Sequence, residues 1–370
     1  MKKRKTIWLI LIGTVLMLAG AIIVGKIHNQ KISAQKALVF LGEIEINHRG
    51  GAVYAKLNSE LVQYWDGSLY LYDKTGKKKW STYIGALNPE IKTGGENIYL
   101  LDKGNNQVLC IDIKGEIVYR YSLEEALVNF EICRDDYLIL QYSPKNSITN
   151  IKVLDKKGSQ YSDILLTEGE VINISISKAY DYIGINTLTI KDSLESHLLI
   201  YDTKGQLMVS KNLGEELVLG FLYDLRGNMI VIKENGVFAI NKNNNTVWDE
   251  NLDKVKLYSG DSSQNIVFYK GPVGGNQFIH GRKSEDIKIL KNNGKLLARA
   301  GLDELVTGLD LYEDTIVFYS PRTIYLLGKK GNVEMIHKYS SDIEKVFVLS
   351  NKHLAIVTKE KLSFVKTNEG

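Results

Sequence analysis

Apolar residues in this chain come in short runs, each closed by a tight polar turn and followed by a segment that mixes polar and aromatic positions. The stretch LYLYDKTGKKKW, Leu69 to Trp80, is the clearest copy. The phrase returns as VLCIDIKGEIVY (Val108 to Tyr119), IKVLDKKGSQY (Ile151 to Tyr161), LLIYDTKGQLMV (Leu198 to Val209), VFAINKNNNTVW (Val237 to Trp248), IKILKNNGKLLA (Ile287 to Ala298) and IYLLGKKGNVEM (Ile324 to Met335). An eighth copy begins at Lys361. The run before each turn is apolar at consecutive positions, the mark of a strand covered on both faces, and the half-polar segment after it reads as an outer, partly wetted strand. Gly, or Asn at position 244, supplies the positive φ of a tight hairpin, and Asp can bond the nearby backbone donors.

The turn residues Gly76, Gly115, Gly158, Gly205, Asn244, Gly294 and Gly331 are separated by 39, 43, 47, 39, 50 and 37 residues. That is the period of a four-stranded propeller blade. The expected fold is therefore all-β: an eight-bladed β-propeller of four-stranded antiparallel blades, with seven blades as the alternative. In the second blade the strands fall near Glu90 to Lys92, Asn97 to Asp102, Gln107 to Asp112 and Glu116 to Tyr121. The last repeat holds three strands, Glu344 to Leu349, Leu354 to Thr358 and Leu362 to Val365. Leu38 to Asn47 (LVFLGEIEIN) has no inner partners of its own and supplies the missing fourth strand, so that residues 38–370 form a ring closed between its two ends.

Ile7 to Gly25 is an uncharged run of 19 residues. As a helix it spans roughly 28 Å, against a bilayer core of about 30 Å. Lys2, Lys3, Arg4 and Lys5 precede it, so the positive-inside rule places residues 1–6 in the cytoplasm and the propeller outside. A cleaved signal peptide with Ala19-Gly20-Ala21 at its end is the rival reading. Residues 26–37 are a basic linker, able to reach at most about 40 Å and to touch acidic headgroups. The net charge of +4 comes from this terminus: residues 1–36 hold seven Lys/Arg and no acid, leaving the remainder at −3. A mildly acidic body argues against nucleic acid as a partner.

Three second-to-third-strand loops look inserted: Ser143 to Asn150, Leu188 to His197 and Gly271 to Asp286. Alternating strand direction puts all three on one face of the disc, together with the connections between blades, while the anchor attaches to the other. Loops on a rigid scaffold are where binding tends to reside. The candidate binding residues on that face are Asn146, Asp192, Glu195, His197, Gln277, His280 and Arg282.

The hairpin phrase, with Asp73, Thr75, Gly76 and Trp80 as its best copy, resembles the PQQ-like (quinoprotein-type) eight-bladed propeller superfamily. Trp248 and Tyr119 hold the equivalent docking position, whereas Val209, Ala298 and Met335 replace the aromatic elsewhere. The anchored layout is similar to uncharacterised single-pass propellers of Gram-positive bacteria. The resemblance implies fold rather than chemistry. A quinoprotein dehydrogenase of this superfamily would carry a vicinal Cys pair, whereas Cys110 and Cys133 lie in separate strands as buried thiols or, outside the cell, as a disulfide.

Candidate chemistry adds little. The six His have no zinc spacing, Gly271 to Gly275 leads to no helix, and no Gly-x-Ser-x-Gly elbow occurs. Asn241 to Asn245 and Asp102 to Asn106 read as turns lacking the acids of a calcium site. The reading is of a cell-membrane, extracytoplasmic scaffold that binds an envelope protein and uses no cofactor. An envelope sensor, or a module whose exposed Tyr stack on glycan, is the alternative, and a quinoprotein dehydrogenase a remote one. About five apolar side chains of Leu38 to Asn47, buried at 1.5 to 3 kcal/mol each, would contribute roughly 7 to 15 kcal/mol, comparable to a whole domain's stability. Deleting this segment should therefore abolish the cooperative melt seen by circular dichroism; a soluble, cooperatively melting truncation would favour seven blades.

Overall fold

The computed structural model describes residues 37–46, 51–132, 137–143, 145–146, 148–177, 182–190, 192–260, 265–271 and 286–368. Among them, thirty-two strands form eight four-stranded antiparallel sheets. Seven sheets use four consecutive strands each, and the eighth combines Ile343–Ser350, His353–Thr358 and Lys361–Asn368 with Ala37–Glu45 from the other end of the chain. The molecule is an eight-bladed propeller.

The two-sided apolar strands are explained by where the core sits. It is not one core but eight, each lying between two neighbouring blades. In blade 3, Leu138 and Leu140 face blade 2 while Ile139 faces blade 4, so consecutive residues serve different layers. The ring closes where Leu61 and Tyr72 of blade 1 pack against Phe347, Leu362 and Phe364 of blade 8.

The recurring turn also works between blades. Asp73 accepts hydrogen bonds from the backbone N–H of Thr75 (2.8 Å) and Lys77 (3.0 Å), and Gly76 takes φ +88°. Asp112, Asp155, Asp202 and Asn241 repeat the pattern. The turn glycine leaves a bare backbone on which the preceding blade lays a ring. Trp80 lies against Gly115 and donates its indole N–H to the Ile113 carbonyl at 2.8 Å; Tyr119 lies against Gly158, and Trp248 against Gly294. In the third repeat the position facing Gly205 belongs to buried Ser162 and not to Tyr161, which is exposed. One residue of register turns the side chain to the opposite face of a strand.

Blade 8 solves the same joint differently. Gly42 pairs with Phe364, and Phe364 reaches Gly76 of blade 1 from the neighbouring strand. In blade 5 the sizes are reversed, with Ala239 opposite Trp248. Leu38 to Asn47 is less buried than its sequence suggests: Val39, Phe40 and Leu41 are exposed, Leu38 and Ile44 half-buried, and Ile46 buried. As an outer strand it has one wet side, so its apolar contribution falls to roughly half the figure above. The burden of closure passes to Phe364.

Cys110 is buried between blades 2 and 3, and Cys133 lies outside the described residues. So do the apolar run 7–25 and the linker as far as residue 36. Among the described residues no helix is long and apolar enough to cross a membrane.

Phe364→Ala should cost about 3 to 5 kcal/mol, read as a lower urea midpoint. Gly76→Ala, whose Cβ would stand 2.6 Å from Phe364 Cδ2, should be destabilising too, and the two should be strongly non-additive because they share one joint. Tyr161→Ala should change stability by less than about 1 kcal/mol.

Candidate functional site

Alternating strands give the disc two faces. The hairpin face carries the first-to-second and third-to-fourth turns, and the connector face carries the second-to-third turns and the links between blades. Asn146, Asp192, Glu195 and His197 all belong to the connector side of blades 3 and 4; Gln277, His280 and Arg282 lie outside the described residues.

In blade 3, Asn146 sits at φ +52° at the tip of a small turn closed by reciprocal backbone bonds between Lys145 and Ile148 (2.9 and 3.0 Å). The Lys145 ammonium meets Glu125 of the adjacent connector at 3.1 Å. In blade 4 the segment Leu188 to His197 is not a loop. Tyr182–Ile190 and Leu194–Asp202 are nine-residue strands paired out to Ile190 and Leu194, so the insertion is a longer hairpin with Asp192 in its turn. Thr187, Thr189 and Ile190 favour this pleated form. At its base Asn186 is fully buried and donates to Ser196 Oγ (2.8 Å) and the His197 carbonyl (3.2 Å). Farther out, His197 Nε2 stands 3.5 Å from Glu195 Oε2.

Motif and spacing do not mark the exposed aliphatics on the same side as these groups. Ile190 is 82% exposed and Leu165 62%, and Ile148 is exposed on the same side of blade 3 as Leu165. Leu87, Leu217 and Leu305 stand exposed on connectors of the same face, and Tyr83, at the end of its strand, covers Gly67 with its ring in the open. The acids there are largely neutralised by cations of the strands and of neighbouring turns: Glu124 pairs with Lys152 (2.7 Å), Glu216 with Lys233, Asp253 with Lys270 (3.4 Å) and Asp342 with Arg322 (2.7 Å). The signal was legible as apolar residues at turns, where polar ones are usual.

The polar groups that could have formed other sites are committed to structure. Asp102 accepts from the Leu87 and Asn105 backbone and from the Asn105 and Gln107 side chains. Around the axis, Lys56 of blade 1 spans blade 8 to reach Asp310 of blade 7 at 2.9 Å, while Asp310 also accepts from Val348 N–H at 2.7 Å. Lys92 is held by Glu131 at 2.7 Å. Among the described residues no cluster of His, Cys, Asp and Glu could hold a metal ion.

The model of a family of unknown function, DUF5711, matches residues 35–367. The chain belongs to the DUF5711 family. No sequence match to a curated protein was found. Among solved structures, this DUF5711 propeller is similar to BamB from Moraxella catarrhalis, at 12% identity and a TM-score of 0.54, covering 89% of this chain and 98% of that one. It is also similar to the Dos1 propeller, at 11% identity and a TM-score of 0.53, covering 89% and 95%. At such identities the likeness is one of fold.

One connector acid carries a usable titration. Burial works to raise the Glu304 pKa, but hydrogen bonds from Thr323, Tyr325 (2.9 Å) and Ser320 (3.2 Å) outweigh it and hold the carboxyl below its ordinary value. A depressed folded-state pKa stabilises at pH values above the unfolded one and is lost as pH falls through the folded one. Wild type should therefore lose melting temperature as pH drops from about 5 through the carboxylate range. Glu304→Gln should melt lower than wild type at pH 7, with a shallower decline on acidification, measured by scanning calorimetry.

Proposed function

We propose that the propeller is a non-catalytic protein-interaction scaffold of the cell envelope, held at the membrane by residues 7–25 with the amino end inside. The observation that carries this reading is the set of exposed apolar groups on the connector side of blades 3 and 4, where Ile148, Leu165 and Ile190 share that side with Asn146, Asp192, Glu195 and His197. Exposed apolar groups interspersed with polar ones on one face are the composition of a protein-docking patch. Paired acids on the same face favour a partner that binds by apolar contact with a few polar anchors. The chain enters its first strand at Ala37, opposite Asn368 and on the hairpin face, so an anchor preceding it would turn the connector face outward.

A second reading rests on Tyr83. Its ring is 78% exposed beside the blade 1–2 connector, a geometry suited to stacking on a sugar.

A photo-crosslinking residue at position 190 or 165 of the full chain, expressed in intact cells, should give a discrete protein adduct, and Lys204 on the hairpin face should not. Adducts at 204 alone would reverse the working face. Absence of protein adducts at all three, with retention of the chain on cell-wall glycan that Tyr83→Ala abolishes, would replace the scaffold reading with the glycan one.

A further inference from the structure

The two faces differ in what their charges are doing. The seven third-to-fourth hairpins contain ten Lys and three Asp/Glu between their strands, and every one of them has an exposed Lys at its tip. Among the described residues the blade-to-blade connectors show the opposite balance, with two Lys and nine Asp/Glu. Counting every described turn, the hairpin face holds twelve basic and seven acidic residues and the connector face seven and fourteen. The connector acids are largely paired, as described above. Of the ten hairpin lysines, by contrast, Lys329 alone sits in an ion pair among the described residues, at 2.7 Å from Asp314.

Two of the three hairpin acids, Asp73 and Asp155, accept bonds from their own turn's backbone, which leaves the lysines as the outermost charges. Burial, and after it the charges of the hairpin's Lys74 and of Lys366 in the last strand, hold His353 below its ordinary pKa.

Just behind the lysine tips lies an apolar band. Outer strands open with exposed aliphatics, among them Val118, Met208 and Val247, and the strand that enters from residue 36 presents Val39, Phe40 and Leu41 in succession. That strand abuts the Lys-bearing turn of blade 1, where Gly42 meets the Thr75 carbonyl. Across the disc, a recess of about 150 Å³ between blades 4 and 5 opens on the same face, lined by Arg226, Lys242, Asn228, Asn241 and Asn243.

We propose that the hairpin face is a docking surface for an anionic lipid bilayer, on which the disc lies flat. The proposal rests on the anchoring reading for its orientation. Lysine tips would reach phosphate headgroups while the aliphatics behind them meet the interface, the division of labour of membrane-surface elements. The recess, far from the chain's entry point, would take a headgroup phosphate and keep the disc from standing on its rim. Such contacts act within about 8 Å at physiological salt, so they are made by the hairpin tips and not by the connector face.

The test uses the full chain in nanodiscs of phosphatidylcholine alone or with about a third phosphatidylglycerol, a composition that supplies the negative surface potential. A photo-crosslinking residue is placed at position 330, 242 or 168. Mass spectrometry should find lipid adducts at 330 and 242 but not 168, at least five-fold more abundant in anionic discs and reduced by high salt. Lys156→Glu/Lys157→Glu/Lys204→Glu should lower the adducts at 242 five-fold or more while leaving the melting temperature unchanged. Equal labelling in both lipids, labelling at 168, or labelling at 330 without 242 would overturn flat docking.

Alkaline-carbonate washing tests the anchor separately. If it strips the chain from the discs the anchoring reading fails, and docking then stands only if the chain co-sediments with anionic vesicles and not with zwitterionic ones. Binding to polyphosphate without binding to anionic vesicles would overturn the lipid assignment.

Discussion

A blade of this protein cannot be stable by itself, because its central strands are apolar on both sides. Each sheet must therefore be covered twice, and the arrangement that covers every sheet twice without leaving an end is a closed ring. The eight apolar layers between blades follow from this one constraint. So does the use of both chain termini in the last sheet: Ala37–Glu45 pairs with Lys361–Asn368, and Phe364 supplies the ring that packs on blade 1.

The hairpin turns show how the constraint is met locally. An Asp side chain satisfies the turn's backbone donors, a residue at positive φ exposes bare backbone, and an aromatic from the preceding blade covers it. Where the outer strand lacks the aromatic, the joint is filled by whatever the pairing allows, Ser162 against Gly205 or Phe364 through the gap at Gly42. Turn carboxylates are thus consumed by architecture, and the turn lysines beside them are not. The same chemistry that makes a propeller leaves one face positively charged, whereas the connector acids on the other face find cations on adjacent strands and turns. The two surfaces consequently differ in character, one tipped with lysines mostly unpaired among the described residues and the other carrying exposed aliphatics among paired acids.

Much of this was legible in the chain. The spacing of Gly76, Gly115, Gly158, Gly205, Asn244, Gly294 and Gly331 identifies blades because each turn needs a residue tolerant of positive φ. Register was harder. Ser162, and not the Tyr161 that closes the repeat phrase, faces Gly205, since a single position decides which face of a strand a side chain occupies, and Tyr161 packs on the Tyr137 ring instead. Leu188 to His197 looked like a loop because its polar residues hide the pairing that extends the hairpin to Ile190 and Leu194. Among the candidate site residues, Asn146, Asp192, Glu195 and His197 share the connector side of adjacent blades, and the aliphatics around them escaped notice because each is isolated in the chain.

The sequence by itself determined the repeat, the all-β architecture and the turn chemistry, because these depend on residues a few positions apart. Tertiary structure decided which charges are paired, which aliphatics gather on one face and which ring closes the joint between blades 8 and 1. Phe364 and Gly76 are separated by most of the chain, and no local pattern announces their contact. Neighbours on a propeller face come from different blades, so a surface becomes visible only when the ring is closed.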